Sequence, residues 1–250
     1  MSSFDVDVHY VTRVEGHGNL RARVRDGRLE ECKWEIPEAP RFFEAMIRGR
    51  SYYDAPPIIS RICGICSIGH TLASIQGIEN AIGFVPGEQT LLLRTLLKHG
   101  ETVQSHILHA YYLVAPDLVG APSVVPLATS HREVVLRAVR LHRLANEWCD
   151  LIGGRTTHPN RAVVGGWTKV PSADELRALR QRIGDALPDV EATVELFRAL
   201  PVPAFERETE YLALSKPGEY AWYGGDIAST DGDVTPLSEY RRKVKEFIVP

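Results

Sequence analysis

Polar and apolar side chains alternate over residues 5–14, and the alternation returns in residues 20–25 and 28–36 on either side of Asp26-Gly27. A period of two predicts strands with one buried face, and an Asp-Gly pair accepts positive φ at both centres of a type I′ turn. The first forty residues therefore read as a β-hairpin region. After Pro37 and Pro40 the spacing becomes helical: Phe42, Phe43, Met46 and Ile47 share a face over residues 41–50, and Gly49 supplies a stop. Pro56-Pro57 predicts an extended approach to residues 62–66. Residues 67–82 repeat apolar positions at Ile68, Leu72, Ile75, Ile78 and Ile82, with Ser67 as a cap and Gly83 as the end.

Two longer helical stretches follow. Residues 87–114 carry a Leu-rich face, and a second helix opens at Thr129 or Ser130, with Ser130 and Glu133 in capping-box spacing, and runs to Ile152 before Gly153-Gly154. Such lengths suit antiparallel packing in a bundle, with Pro116 and residues 120–126 as the crossover. Gly165-Gly166 and Pro171 mark a loop, and residues 172–200 are helical again with a break near Pro188. Beyond Pro201, aromatic residues among turn formers predict short strands and loops; residues 247–250 carry no capping pattern. The expected fold is α+β, mainly α, in a single domain spanning 1–250. An N-terminal β-hairpin region (1–40) packs on a bundle of long helices (41–200), with an irregular part at 201–250.

The composition is that of an ordinary globular chain, 250 residues with 44% hydrophobic and 24% charged, which excludes intrinsic disorder. Twenty-nine Lys and Arg face 32 Asp and Glu, a net charge of -3, so no general basic field exists to hold nucleic acid. Residues 1–7 lack the basic start and apolar core of a signal peptide, and no apolar run approaches the roughly 18 residues of a spanning helix. A cytoplasmic protein with no nucleic-acid partner and no membrane span is expected.

Cysteines occur at 32, 63, 66 and 149, too few for a disulfide framework. Cys63-Gly-Ile-Cys66 brings two sulfurs to one side of the chain. The partial positive charge of the helix start that follows would favour thiolates there. A dithiol redox site would want a preceding strand in a βαβ unit, and a structural zinc site would want a second close pair. The spacing alone leaves redox, zinc and another soft-metal site open.

The neighbours of the pair carry a resemblance. Arg13-Val14-Glu15-Gly16-His17-Gly18, then Arg41-Phe42-Phe43-Glu44, then Ser60-Arg-Ile-Cys-Gly-Ile-Cys-Ser-Ile-Gly-His70, in that order, resemble the N-terminal half of a nickel–iron hydrogenase large subunit. The family signature Arg-x-Cys-Gly-x-Cys with a His four residues on is matched from Arg61 to His70. Ser105-His106-x-x-His109-x-Tyr-x-Leu-x-x-Pro116-Asp117 and Gly153-Gly-Arg-Thr-Thr-His158-Pro159 extend the match.

The resemblance implies reversible heterolytic cleavage of dihydrogen. Cys63 would be a terminal thiolate on nickel and Cys66 a bridge between nickel and iron. His70 would hydrogen-bond a ligand sulfur, with Arg61 also outside the ligands. Glu15 would carry the proton, and Glu44 would help hold a magnesium ion. His17, His106, His109 and His158 would face the partner, an iron–sulfur small subunit, which the need for an electron outlet also implies. Each has a plainer reading: Glu15 as a surface carboxylate, Glu44 as part of a helix face, His106 and His109 as interface or core histidines on one helix face. Cys32 and Cys149 read as packing residues.

The sequence departs from the family at one point. The second cysteine pair, usually Asp-Pro-Cys-x-x-Cys, does not occur, so the chain supplies half of the ligands of a nickel–iron centre. The expectation is a truncated large subunit, or a half-subunit completed by a chain or missing segment carrying the second pair; a non-catalytic scaffold or assembly protein is the alternative. The motif style resembles cytosolic members coupled to nucleotide or deazaflavin carriers.

Overall fold

The computed structural model describes residues 2–245; Met1 and the uncapped residues 247–250 lie outside the described residues. Strands β1 (Phe4–Val8), β2 (Asn19–Arg25) and β3 (Arg28–Glu35) form an antiparallel sheet in sequence order. Asp26 and Gly27 take φ of 50° and 75°, as the predicted turn requires. The register gathers Asp5, Asp7, Arg21, Arg23, Glu31 and Lys33 on one face, where Arg25 and Lys33 meet Asp5 and Glu31, each at 2.6 Å. Phe4, Val6, Val8, Leu20, Ala22, Val24 and Trp34 form the other face.

The first strand is shorter than its alternation suggested. It ends at Val8, because Tyr10 and Arg13 take φ of 54° and 65° and Gly16 takes 80°, left-handed values that no strand accommodates. Residues 9–18 form a loop instead, closed by Val11 N–H donating to the Gly18 carbonyl at 2.9 Å.

Helix α1 (Pro40–Ile47) starts on a proline and leads to α2 (Ala55–Ile59) and a 3-10 turn, Ser60–Ile62. The extended approach expected at Pro56-Pro57 is thus helical: both prolines lie in the first turn of α2, where a missing N–H costs nothing. Helix α3 (Ser67–Ile82) has the expected bounds and closes on Gly83 at φ 70°. Helix α4 (Glu88–Ile107) continues as a π-helical segment, Leu108–Val114. The crossover holds two short helices, α5 (Ala115–Leu118) and α6 (Val124–Ser130), before α7 (Arg132–Gly153). The expected Ser130 capping box does not form, because Ser130 ends α6 and its hydroxyl bonds His131 Nδ1 at 2.9 Å.

A two-strand ribbon, β4 (Ala162–Val163) and β5 (Gly166–Trp167), precedes α8 (Ala173–Asp185) and α9 (Leu187–Ala199). Ser172 and Glu175 form a reciprocal capping box on α8, and the break foreseen at Pro188 falls at Ala186. The last described part holds β6 (Leu212–Ser215), β7 (Asp226–Ser229), β8 (Val234–Thr235) and α10 (Tyr240–Lys243). No helix among the described residues is long and apolar enough to cross a membrane.

The core lies where α3, α4 and α7 meet, around Ile68, Leu72, Ile75, Leu97, Cys149 and Ile152. Helices α4 and α7 run antiparallel, with Leu97 beside Gly153 and Gly100 against Trp148 and Cys149. A Cβ on Gly100 would sit 3.1 Å from the Cys149 sulfur, so a glycine is what lets these helices approach. Burial, together with the Glu101 charge, pushes the Cys149 thiol up to about 12.

Inside this core α3 and α4 are joined by an ion pair. Arg94, fully buried, donates to both oxygens of Glu79 at 2.7 and 2.6 Å. Gly165 N–H donates to Glu79 at 2.8 Å, and Tyr223 brings the irregular C-terminal part onto Arg94 at 3.2 Å. Burial alone would raise the Glu79 carboxyl; the hydrogen bonds from Arg94 and Gly165 outweigh it and hold the group below its ordinary 4.5.

Glu79→Gln should lower stability by about 3–5 kcal/mol at neutral pH, because Arg94 is left buried and uncompensated. With a depressed folded pKa, the contribution of Glu79 is complete above 4.5 and fades as pH falls below it. Urea unfolding of both proteins should show the gap narrowing between about pH 7 and about pH 3. In the reduced chain, a thiol reagent at about pH 8 should label exposed Cys32 and spare Cys149 until unfolding, as mass spectrometry of the labelled peptides would show.

Candidate metal centre

Cys63 leaves the 3-10 turn in extended conformation, with φ -146° and ψ 135°, and its side chain is buried. Three residues on, Cys66 stands at the boundary of α3 with φ -108° and ψ 27°. The change of backbone direction turns both side chains inward: the Cα atoms are 5.5 Å apart and the sulfurs are in contact at disulfide range. Cys66 N–H donates to Cys63 Sγ at 3.0 Å. His70 follows one turn later on α3, its N–H donating to the Cys66 carbonyl at 3.2 Å. A ligand atom from each of Cys63, Cys66 and His70 lies within 4.8 Å of the other two.

What holds this helix start is a carboxylate from α4. Glu101, buried, accepts the N–H groups of Ile68 at 2.8 Å and Gly69 at 3.0 Å, and pairs with Lys98 Nζ at 2.5 Å. The expected serine cap is not made; Ser67 is buried and its hydroxyl accepts the His158 N–H at 2.8 Å. The positive end of α3, expected to favour thiolates at the cysteines, is therefore already met by the Glu101 charge. Sequence reading missed Glu101. Its signal was a carboxylate inside the apolar face of a helix, where an unpaired charge would be costly.

Glu15 comes to the site from the 9–18 loop. Cys63 Sγ and Glu15 Oε1 are 3.2 Å apart, a contact in which the sulfur can donate once Cys63 is a thiol. A two-pronged pair fixes the loop: Arg13 donates through Nε and Nη2 to the Asp117 carboxylate at 3.1 and 3.0 Å. That contact, across 104 residues, keeps the Asp117 carboxyl below its ordinary value, first through the Arg13 hydrogen bond. Both residues stood in the sequence motifs, though nothing in the sequence paired them. Glu38 braces the same loop, accepting from His17 N–H at 2.9 Å and meeting His17 Nδ1 at 2.7 Å.

Glu15, Ile36, Glu38, Phe43, Ile62, Cys63, Cys66 and His70 line one cleft of about 520 Å³. The other singled-out residues lie around it. Glu44 is on the exposed side of α1, paired with Arg41 at 3.3 Å, and is not part of the cleft wall. Arg61 and His158 line a neighbouring cleft. His158 Nδ1 bonds the Ser60 carbonyl at 3.1 Å, so that nitrogen carries the hydrogen. His106 and His109 are exposed, His106 edge-on to Trp222 with centroids 6.2 Å apart. Cys32 lies exposed on β3 and Cys149 in the helical core, so neither reaches the pair. Two adjacent sulfurs with an imidazole make a donor set suited to a soft or borderline metal, and unsuited to magnesium or calcium.

The sequence profile of the family described as "Nickel-dependent hydrogenase" matches residues 41–131. The alpha chain of sulfhydrogenase 1 from Pyrococcus furiosus is 36% identical over 246 residues, covering 98% of this chain and 58% of the relative. A vhu chain of the F420-non-reducing hydrogenase of Methanocaldococcus jannaschii is 30% identical, covering 96% and 62%. Among solved structures, an NAD+-reducing [NiFe]-hydrogenase in the H2-reduced state superposes on the whole chain with a TM-score of 0.86 at 29% identity, over 60% of its own length. The chain thus spans less than two thirds of the relatives it matches. In sequence and in fold, it belongs to the nickel-dependent hydrogenases and corresponds to part of their large subunit.

Proposed function

We propose that this chain supplies two of the sulfur ligands and the nearest proton carrier of a nickel–iron hydrogenase, which cleaves dihydrogen reversibly and heterolytically. The reading is carried by the 3.2 Å approach of Glu15 to Cys63, two residues 48 positions apart and both within motifs of this family. Cys63 and Cys66 would hold the centre. When bound, the two metals supply the breaking of the H–H bond and take up its electrons.

The chain's own residues handle the proton. With the cysteine pair reduced, a proton on Cys63 Sγ would pass to Glu15 Oε1 across the 3.2 Å approach, and the exposed position of Glu15 opens onto water. In the reverse direction the same carboxyl returns it to the sulfur. His70, fixed on the first turn of α3, would donate to a ligand sulfur and tune its electron density.

The other two cysteines are placed elsewhere, so the remaining sulfurs come from further polypeptide. Glu44 would lend a hard oxygen donor to a magnesium ion, with most of that ion's ligands supplied from outside the described residues. The exposed His17, His106 and His109 and half-buried His158 would face an iron–sulfur small subunit that carries electrons away. We place this assembly in the cytoplasm, following the motif style.

Assembled with its partner polypeptides, the chain should bind nickel, and Cys66→Ser should abolish that nickel by elemental analysis while the iron of the iron–sulfur subunit remains; zinc in place of nickel would favour the scaffold alternative. Glu15→Gln should keep the metals and lower the rate of exchange between dihydrogen and deuterated water by about 100-fold or more, measured by gas-phase mass spectrometry.

A further inference from the structure

The loop that carries Glu15 contains backbone that does not hold itself. Tyr10, Arg13 and Gly16 take φ of 54°, 65° and 80°, and left-handed values in a Tyr and an Arg persist only where surrounding contacts over-determine them. Each of these residues has such a contact. Tyr10 N–H donates to Asn19 Oδ1 at 3.1 Å. Arg13 forks onto Asp117, on α5, at 3.1 and 3.0 Å. Beside Gly16, a Cβ would lie 3.3 Å from Oε1 of Glu38, and that same oxygen takes the next residue, His17, by its N–H at 2.9 Å and its ring at 2.7 Å.

Glu15 is thereby straddled. Two carboxylates from other elements, Asp117 on α5 and Glu38 between β3 and α1, fasten the residues two before it and two after it. Glu15 itself is exposed and reaches Cys63 through one contact. On a free loop such a side chain would stay in water, because one hydrogen bond does not offset the conformational freedom lost in making it. With the backbone fastened on both sides, only side-chain rotations remain to be fixed. The hydrogen bonds from Arg13 and His17 hold the Asp117 and Glu38 carboxyls below their ordinary values, so both anchors stay charged at neutral pH.

We infer, on the basis of the proposed function, that Asp117 and Glu38 are positioning residues for proton transfer, holding the loop so that the Glu15 carboxyl meets Cys63. Neither bonds the sulfur, whose hydrogen-bond partners are Glu15 and the Cys66 N–H. Both act through Glu15 alone, and the metal ligands are indifferent to them.

The test uses the chain assembled with its partner polypeptides and reads the rate of exchange between dihydrogen and deuterated water, the KM for dihydrogen and the nickel content. Amide hydrogen exchange of the full chain, followed by mass spectrometry, reads the loop directly. Asp117→Ala should lower the rate by about three- to tenfold, leave KM and nickel unchanged, and speed amide exchange in residues 9–18 while sparing α3. Exchanging the partners, Arg13→Asp with Asp117→Arg, should restore the rate to within about twofold, since Asp also tolerates a left-handed backbone. Added to Glu15→Gln, Asp117→Ala should cost less than about twofold more, because nothing is left to position. Glu38→Ala carries the same expectations from the other end of the loop, should Asp117→Ala fail to assemble. Arg140→Ala, which opens a similar exposed fork onto Asp189 at 3.0 and 2.9 Å, should change the rate by less than about twofold. An unchanged rate in Asp117→Ala overturns the inference. So does loss of nickel, or a loss of rate that multiplies with that of Glu15→Gln, either of which gives these residues a role outside Glu15. A full rate in Glu15→Gln overturns the proposed proton route beneath the inference.

Discussion

A single buried carboxylate organises the centre. Glu101 satisfies the first free N–H groups of α3, which otherwise have no partner within their own helix. The same carboxylate ties α3 to α4 and, through Lys98, returns a positive charge to its own turn. Because Cys66 and His70 ride on that first turn, their separation is set by a residue that touches neither. A cap made by a serine of the helix itself would have fixed the helix start without fixing its place against α4.

Two further anchors hold the elements around that helix start. The Glu79–Arg94 pair locks α3 to α4 at the far end of α3 and collects Gly165 and Tyr223 onto the same spot. The Arg13–Asp117 pair holds the left-handed 9–18 loop to the crossover after α4. The bundle thus presents a fixed wall, and the loop delivers Glu15 to it. The exposed pair is worth little as a stabiliser in water; its value is positional, since loop closure otherwise leaves Glu15 many places to be.

The cleft shows why a carboxylate and a thiol are useful neighbours. Cys63 is buried and Glu15 is exposed, so their 3.2 Å contact spans the boundary between the protein interior and water. A proton crossing that boundary needs only a short rotation of one side chain. The neighbouring cleft, lined by Arg61, Arg155 and His158, holds no carboxylate and shares none of this chemistry.

The sequence alone determined the elements whose signals are local. Period-two alternation around Asp26-Gly27 specified the hairpin, three-and-four spacing with Gly83 specified α3, and the motif from Arg61 to His70 singled out Cys63, Cys66 and His70, which the structure brings together. Where the sequence misled, a local pattern met a competing local rule: alternation past Val8 yields to left-handed backbone, and Pro56-Pro57 starts a helix instead of preventing one. The tertiary structure decided what pairs with what. Glu101 with the α3 backbone, Arg13 with Asp117 and Glu15 with Cys63 join residues 32 to 104 positions apart. No periodicity records such contacts, because they follow from how whole helices and loops pack, and a carboxylate's partner is known only once burial has excluded the water that would otherwise serve it.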